Sequence, residues 1–505
     1  MIDGKGKGSL VEKQALIHIA VLVAVALVIG VYLIVTTVLI SKDGTMYVDY
    51  ARGLSDKPLE TILDTPSPPG YPFLISLSHK ICGLFYQEGA IDGWIISAQF
   101  ASLACKLIAT AALYLIGCYL FGAKVSFIGV LILSILPDSA KFGSDALSDW
   151  PHLMFLSLGF LFLLLGARQH DKTWLFGLAG VLSGLGYLVR SECGQIVLYG
   201  GLWFLFNFIR PTNKIKRYQS LQGLFLILLG FAIIALPYML FEGYVFPKQG
   251  FLKIPKLLGN IGNLDSLPMA RGIYMAGFAE KIFGDNTFIP NLCETLMYYF
   301  VPGFLIGIYY YFRKLPKTFV QTFFAAAFIS MNFLMLFWQV SYRGILSRRH
   351  TFTLVAFTIF YVVVGLRVIS TWLSNRFSKD NSSTSKSRED WFRLLMVIGV
   401  IICLPKLLLP LRIEKQGYRE AAMWLRNNTS AEDIVIVPDK RLGFYAERRW
   451  VEEFNKDVKV KAQYRVKVIR DGDNESDFNG PVEEKYSVWL NKWKKKKRVV
   501  IYKLL

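Results

Sequence analysis

Apolar and polar positions alternate along this chain in long blocks rather than in short amphipathic periods. From Ala15 to Ile40 there is no Asp, Glu, Lys or Arg, and roughly 18 such residues are enough to suggest a bilayer span. The blocks predict eleven spans, at about 15–40, 93–121, 125–137, 150–167, 173–189, 193–209, 218–241, 295–312, 318–342, 351–372 and 394–411. The third is short for a full crossing. The first is longer than a signal-peptide core and no A-x-A-like site follows it, so it is read as a retained span. Lys106, Arg367 and Lys406 lie in or near spans and are expected to snorkel toward an interface. No fixed-period repeat and no similarity between the two halves is visible. The block pattern stops at about residue 411. Beyond it, Tyr418–Arg426 reads as a helix, Asp433–Pro438 as a buried strand ending at proline, and Arg498–Lys503 as a second strand. The expected architecture is therefore a polytopic all-α transmembrane bundle over 1–411, with a small soluble α/β domain over 412–505.

Composition agrees with this reading. Hydrophobic residues make up 53% of the 505 and charged residues only 19%, below the roughly 25% charged of soluble chains. A soluble globular enzyme, a disordered chain and a disulfide-stapled secreted domain are excluded. The six cysteines are scattered, without CxxC or metal-ligand spacing. The tail has neither G-x-G-x-x-G nor a P-loop, so it is not read as a nucleotide-binding domain.

The net charge of +20 is distributed unevenly. With the N-terminus inside, the inner connections hold 18 Lys/Arg in 56 residues and the outer ones 14 in 128. The positive-inside rule then favours a cytoplasmic N-terminus, and an odd span count puts the tail outside the membrane. The expected location is a bacterial inner membrane or its equivalent. The run Lys494–Arg498 is read as solvated or facing anionic lipid or glycan, with no nucleic-acid partner.

Candidate chemistry gathers at the outer edge. Asp43 follows the first span; a partly desolvated carboxylate there can act as a general base, and it can equally cap a helix. Asp145 and Asp149 are spaced i,i+4 and would share a face of a helix, where like charges need a cation, a metal or a proton between them. Asp149 also reads as a cap for the fourth span, with Pro151 in its first turn. His152 reads as a packed polar residue or a cavity group, and no other histidine has ligand spacing with it. Arg190 sits in the bend before Glu192, and Arg343, Arg348, Arg349 and His350 cluster before the tenth span. Cations at the outer edge run against the usual bias. They suit lipid headgroups or one anionic ligand such as a lipid phosphate, whose oxygens a guanidinium fork binds in pairs; Arg190 can also simply pair with Glu192.

Several of these segments, taken in order, resemble the GT-C superfamily of membrane glycosyltransferases, in particular the family 39-like branch of protein mannosyltransferases and lipid A aminoarabinose transferases. Asp43-Gly44-x-x-Tyr47 resembles the first-loop acidic motif, and Pro68-Pro69-Gly70-Tyr71-Pro72 the P-P-x-Y-P segment. Ser148-Asp149-Trp150-Pro151 resembles the second acidic motif, Gly184–Glu192 the glycine-rich span ending in a cation, and Arg348-Arg349-His350 the late R-Y-x-x-P pattern. Tyr418–Leu425 and Phe444-Tyr445 resemble the exported C-terminal portion. The chain departs from the pattern in two places. Pro66 and Ser67 stand where aminoarabinose transferases carry Glu-Lys, and His350 replaces the common Tyr with no Pro nearby.

The resemblance implies an inverting glycosyltransferase that moves a sugar from a polyprenyl-phosphate donor to a hydroxyl acceptor on a protein, lipid or glycan. Asp43 would be the base, with Asp149 orienting the acceptor, assisting a metal or holding Arg190. Arg190, Arg348 and Arg349 would bind the donor phosphate. Tyr47, Tyr71, Asp145, His152 and His350 would line the substrate cavity. No cofactor is assigned, and a divalent metal is left open. The alternatives weighed are a secondary transporter and a surface-polysaccharide ligase or polymerase.

Overall fold

The computed structural model describes residues 4–65, 67–82, 84, 91–169, 172–209, 217–246, 251–253, 284, 287–343, 346–377, 384–453, 462–470 and 481–505. Most of residues 242–294, between the seventh and eighth expected spans, and part of 373–393, between the tenth and eleventh, lie outside these residues.

The chain opens with α1 (Gly4–Val35), then α2 (Lys42–Asp56), α3 (Pro58–Asp64), α4 (Gly70–Cys82), α5 (Ile91–Phe121), α6 (Ala123–Ile135) and α7 (Pro137–Phe142). There follow α8 (Asp149–Arg168), α9 (Trp174–Tyr187), α10 (Gln195–Ile209) and α11 (Arg217–Glu242), and a short hairpin of β1 (Tyr244–Phe246) and β2 (Phe251–Lys253). The second half continues with α12 (Phe288–Thr295), α13 (Val301–Lys314), α14 (Phe319–Arg343), α15 (Arg348–Phe377) and α16 (Thr384–Leu408). Among the described residues, eight helical segments are long and apolar enough to cross a membrane, and α6 and α9 are shorter apolar helices. Each expected span overlaps at least one helix of this bundle.

One expected span is broken. The block 295–312 is not continuous: α12 stops at Thr295, Met297 and Tyr298 take left-handed φ of 53° and 57°, and α13 restarts at Val301. Pro302 accounts for the restart. A proline inside a helix clashes with the carbonyl four residues back, here that of Tyr298, but fits a helix first turn.

The described residues between the first two expected spans also fold. Helix α2 buries Thr45, Tyr47, Val48 and Ala51 and exposes the opposite face. Its N-cap is Ser41, whose hydroxyl accepts the Gly44 amide at 2.9 Å. The Gly70 amide donates to Leu188 O at 2.6 Å, and a β-carbon on Gly70 would collide with that carbonyl. Only glycine lets the Pro68–Pro72 segment lie this close to the end of α9.

Helices α13 and α15 approach closely enough to exclude side chains. A β-carbon on Gly307 would lie 1.8 Å from Tyr361 O, and one on Gly365 would lie 1.8 Å from Gly303 O. Small residues at such crossings are the usual basis of tight helix association in lipid. A large apolar core of Leu153, Phe160, Phe324, Phe357 and Phe360, among others, runs through this part of the bundle.

After α16 the chain forms a small sheet domain with α17 (Gln416–Asn428) and α18 (Lys440–Ala446). Its strands are β3 (Ile434–Val437), β4 (Arg449–Glu452), β5 (Tyr464–Arg470), β6 (Val482–Trp489) and β7 (Lys497–Leu504), in the order β4-β3-β5-β7-β6. β3 is parallel to β4 and β5, and β7 is antiparallel to β5 and β6. The two strands read from sequence are β3 and β7. A second apolar core is shared between this domain and the end of the bundle: Val435, Leu442, Tyr445 and Ile501 belong to the same cluster as Leu39, Ile40, Val48, Tyr71 and Ala98.

Candidate active site

Four charged side chains form one chain of contacts at the end of the bundle where α2 lies. Arg349, in the first turn of α15, donates from Nε to Asp149 Oδ2 at 2.8 Å and from Nη1 to Asp43 Oδ2. Arg190, in the bend after α9, donates from Nη1 to Asp149 Oδ1 at 2.8 Å. Asp149 thus lies between two guanidinium groups, and Arg349 between two carboxylates. Asp149 is 2% exposed and Asp43 51% exposed by side chain. The inner acid is an anchor sealed from solvent, while the outer one can be reached.

Neither aspartate caps its helix. Ser41 is the N-cap of α2, and Ser148 holds that position before α8. Arg190 reaches Glu192 only at 3.7 Å, so Asp149 is its closer partner. Burial works against charge on Arg190, and the neighbouring Glu192 and Asp149 outweigh it and raise its pKa.

The other expected site residues divide. Tyr47 is buried beside the cluster, with its hydroxyl 3.2 Å from Ser148 Oγ. Burial raises its pKa, which Ser148, Arg190 and Arg349 pull back in part. Tyr71 packs beneath it, edge to face at 5.0 Å, and its hydroxyl donates to Ala98 O at 3.1 Å on α5. That hydroxyl points into the bundle wall. His350 and His152 line a cavity of about 40 Å³ with Arg190, Glu192, Gln195, Asn332, Gln339, Arg349 and Thr353. Both ring nitrogens of His152 lack a hydrogen-bond partner among the described residues. Ser347 N–H donates to His350 Nδ1 at 3.2 Å, which leaves Nε2 to the cavity.

Two residues depart from the expected grouping. Arg348 turns away from Asp149: its Nη1 lies 3.0 and 3.1 Å from the two oxygens of Asp138, and its Nε is 3.4 Å from Glu294. Successive residues of a helix point about 100° apart, and here Arg348 and Arg349 engage different carboxylates. Asp145 does not share a face with Asp149. Residues 143–148 bend instead of forming a helix, and Asp145 accepts Ser41 N–H at 3.0 Å, Ala146 N–H at 2.9 Å and Arg412 Nη2 at 2.6 Å. The repulsion expected of an i,i+4 acidic pair is avoided because each acid has its own arginine.

Four polar contributors were not singled out from sequence. Gln195, Tyr199 and Asn332 form a buried network inside apolar helices: Tyr199 OH donates to Gln195 Oε1 at 2.6 Å, and Asn332 Nδ2 to Tyr199 OH at 3.0 Å. Amides in otherwise apolar spans are a readable signal. Arg412 offered none, because its partners are remote in sequence. Expected to snorkel, Lys106 is fully buried instead, with no partner for Nζ among the described residues, 5.6 Å from the Trp150 ring centroid.

Among the described residues no group of three or more His, Cys, Asp or Glu side chains could hold a metal. The Arg349 guanidinium sits between Asp43 and Asp149, so this donor set does not suit a divalent cation.

Residues 66–238 match the family described as dolichyl-phosphate-mannose-protein mannosyltransferase. No curated protein matches the chain. Among solved structures, the chain is similar to ArnT from Cupriavidus metallidurans bound to undecaprenyl phosphate, with TM-score 0.56, 13% identity, and coverage of 95% of this chain and 97% of that one. It is also similar to the oligosaccharyltransferase AglB from Archaeoglobus fulgidus in complex with an inhibitory peptide and a dolichol-phosphate, with TM-score 0.53, 14% identity and 86% of this chain covered. This chain spans 64% of that archaeal enzyme's length. Another structure of the archaeal enzyme, with TM-score 0.51, 13% identity and coverage of 85% of this chain and 62% of that one, is a complex with Zn and sulfate. Over residues 66–238 the chain thus resembles that mannosyltransferase family, and over most of its length it shares the bundle-plus-sheet-domain fold of ArnT.

Proposed function

We propose that this protein transfers a sugar from a polyprenyl-phosphate donor to a hydroxyl acceptor, with inversion, at the membrane face opposite its N-terminus. The observation that carries the reading is the contact chain Asp43–Arg349–Asp149–Arg190 at one rim of the bundle. It places a reachable carboxylate beside two fixed guanidinium groups. The lysine and arginine asymmetry of the connections supports the assignment of that rim to the extracytoplasmic side.

In this reading Asp43 takes the proton of the acceptor hydroxyl. The hydroxyl oxygen attacks the anomeric carbon as the bond to the phosphate oxygen breaks. Arg190 and Arg349 hold the departing lipid phosphate and stabilise its charge. Asp149 acts through them: it fixes both forks and stays ionised between them. Arg349 is shared, so a phosphate that takes its Nη1 releases Asp43 to act as base. The cavity beside the arginines, with His152, Gln195, Gln339 and His350 at its wall, is smaller than a sugar phosphate, so donor binding in this reading widens it. Arg348, held by Asp138 and Glu294, is left out of the phosphate site.

The test incubates purified protein in nanodiscs with polyprenyl-phosphate mannose, glucose or arabinose, using an alkyl glycoside or a Ser/Thr peptide as acceptor, and measures released polyprenyl phosphate. Release that Asp43→Asn abolishes supports the reading. No release from any donor above the Asp43→Asn level, with solute counterflow that survives the mutation, would instead identify a transporter.

A further inference from the structure

The segment 36–41 joins the first span to α2 and delivers Asp43 to the rim. It has no regular secondary structure, yet Leu39, Ile40 and Ser41 are buried. Buried backbone groups outside helices and sheets need partners. Four partners of residues 38–40 come from the far end of the chain. Val38 N–H donates to Leu411 O at 3.1 Å. Leu39 O accepts Arg412 Nη1 at 3.1 Å. Ile40 N–H donates to the Tyr445 hydroxyl at 2.9 Å, and Ile40 O accepts Arg441 Nη1 at 3.5 Å. Ser41 N–H goes to Asp145, whose second oxygen is held by Arg412 at 2.6 Å.

Arg412 therefore grips the segment twice, once directly and once through Asp145. It does so from a left-handed backbone conformation, φ 57°, that few non-glycine residues adopt. Tyr445 is 2% exposed and lies in the core that α2 shares with the sheet domain. Arg441 is in turn locked on Asp439 by bonds of 2.9 and 2.6 Å, and Asp439 lies 3.9 Å from Lys42, the neighbour of Asp43. Two bonds downstream of this clamp, the Ser41 hydroxyl caps α2 and fixes the turn that carries Asp43.

We infer that the C-terminal region is a positioning element for catalysis, with Arg412 and Tyr445 as positioning residues that set the place of Asp43 through the segment 36–41. The inference rests on the reading of Asp43 as base. It gives the sheet domain a role in the chemical step rather than in covering the site or binding acceptor. Neither side chain touches the reacting groups, so the effect has to appear through Asp43 alone.

The experiment uses the full-length protein in nanodiscs and whichever of the three polyprenyl-phosphate sugars turns over. Arg412→Gln, Arg412→Lys and Tyr445→Phe are compared with the parent for kcat, donor KM and melting temperature. Each is also made in an Asp43→Asn background, read by long single-turnover incubations. The expected result is a fall in kcat of about tenfold or more for Arg412→Gln, partial recovery in Arg412→Lys, and a donor KM within twofold of the parent. In the Asp43→Asn background the same substitutions should cost less than twofold, because the group they aim is gone. Should Arg412→Gln fail to fold, Tyr445→Phe, which removes one hydroxyl, carries the same comparison. Equal losses in both backgrounds, or an unchanged kcat in every variant, would overturn the inference. Full activity of Asp43→Asn alone would instead remove the functional reading on which it stands.

Discussion

Replacing Asp43 with Asn should separate activity from stability. The side chain is half exposed, and its pairing with Arg349, 24% exposed, lies at the surface of the site. Exposed ion pairs contribute about 0.2–1 kcal/mol, so the melting temperature should fall by no more than about 2 °C in a chain of this size. Loss of a general base costs about 10²–10⁴ in rate, which is about 2.7–5.5 kcal/mol in the barrier. Catalytic loss therefore exceeds structural loss several-fold. Asp149→Asn gives the opposite contrast. That carboxylate is 2% exposed and holds two guanidinium groups at 2.8 Å. Breaking a buried pair costs about 3–5 kcal/mol because the stranded charge keeps its desolvation penalty. This variant should lose stability and activity together. Lipid-phosphate release and intrinsic-fluorescence melting, recorded on the same preparation, decide the matter. If Asp43→Asn keeps more than a tenth of parent turnover, or melts as low as Asp149→Asn, the assignment of the outer carboxylate as base is refuted.

Other expectations follow from the same contacts. Arg349→Lys puts a single ammonium where a fork bridges two carboxylates; donor KM should rise about tenfold, whereas Arg348→Gln should leave it within twofold, both read in the release assay. Lys106→Met removes a fully buried amine that has no hydrogen-bond partner among the described residues and should stabilise the protein by about 1–3 kcal/mol, less any lost attraction to Trp150; a lower melting temperature would contradict this. In the sheet domain, burial alone would raise the pKa of Asp439, but hydrogen bonds and charge from Arg441 outweigh it and hold the carboxyl below its usual range. A lowered folded pKa contributes stability that is present above the unfolded value of about 3.9 and is lost as pH falls through the folded one. The melting-temperature deficit of Asp439→Asn should therefore be full at pH 7 and shrink below about pH 4.

The helices were legible because a bilayer demands long uncharged runs, and such runs need no knowledge of neighbours. Asp43, Asp149, Arg190 and Arg349 were legible for a related reason: a charge at the edge of a span is costly enough to be worth explaining. The misreadings came where local pattern yields to tertiary contact. Asp145 and Asp149 have helical spacing, but the backbone bends between them because each carboxylate is drawn to a different arginine. Arg348 stands beside Arg349 in sequence, yet the helix turns it toward Asp138. Arg412 and Tyr445 carry no sequence signal, since the backbone groups they satisfy lie more than 370 residues earlier.

The glycine contacts at Gly303, Gly307 and Gly365 have a mechanical consequence. With carbonyl groups where side chains would be, α13 and α15 interlock backbone to backbone, and a slip of one residue along either axis would drive a side chain into the other's main chain. A carrier that rocks between inward- and outward-open forms needs sliding seams in its wall. This seam is pinned, so α13 and α15 can shift only together.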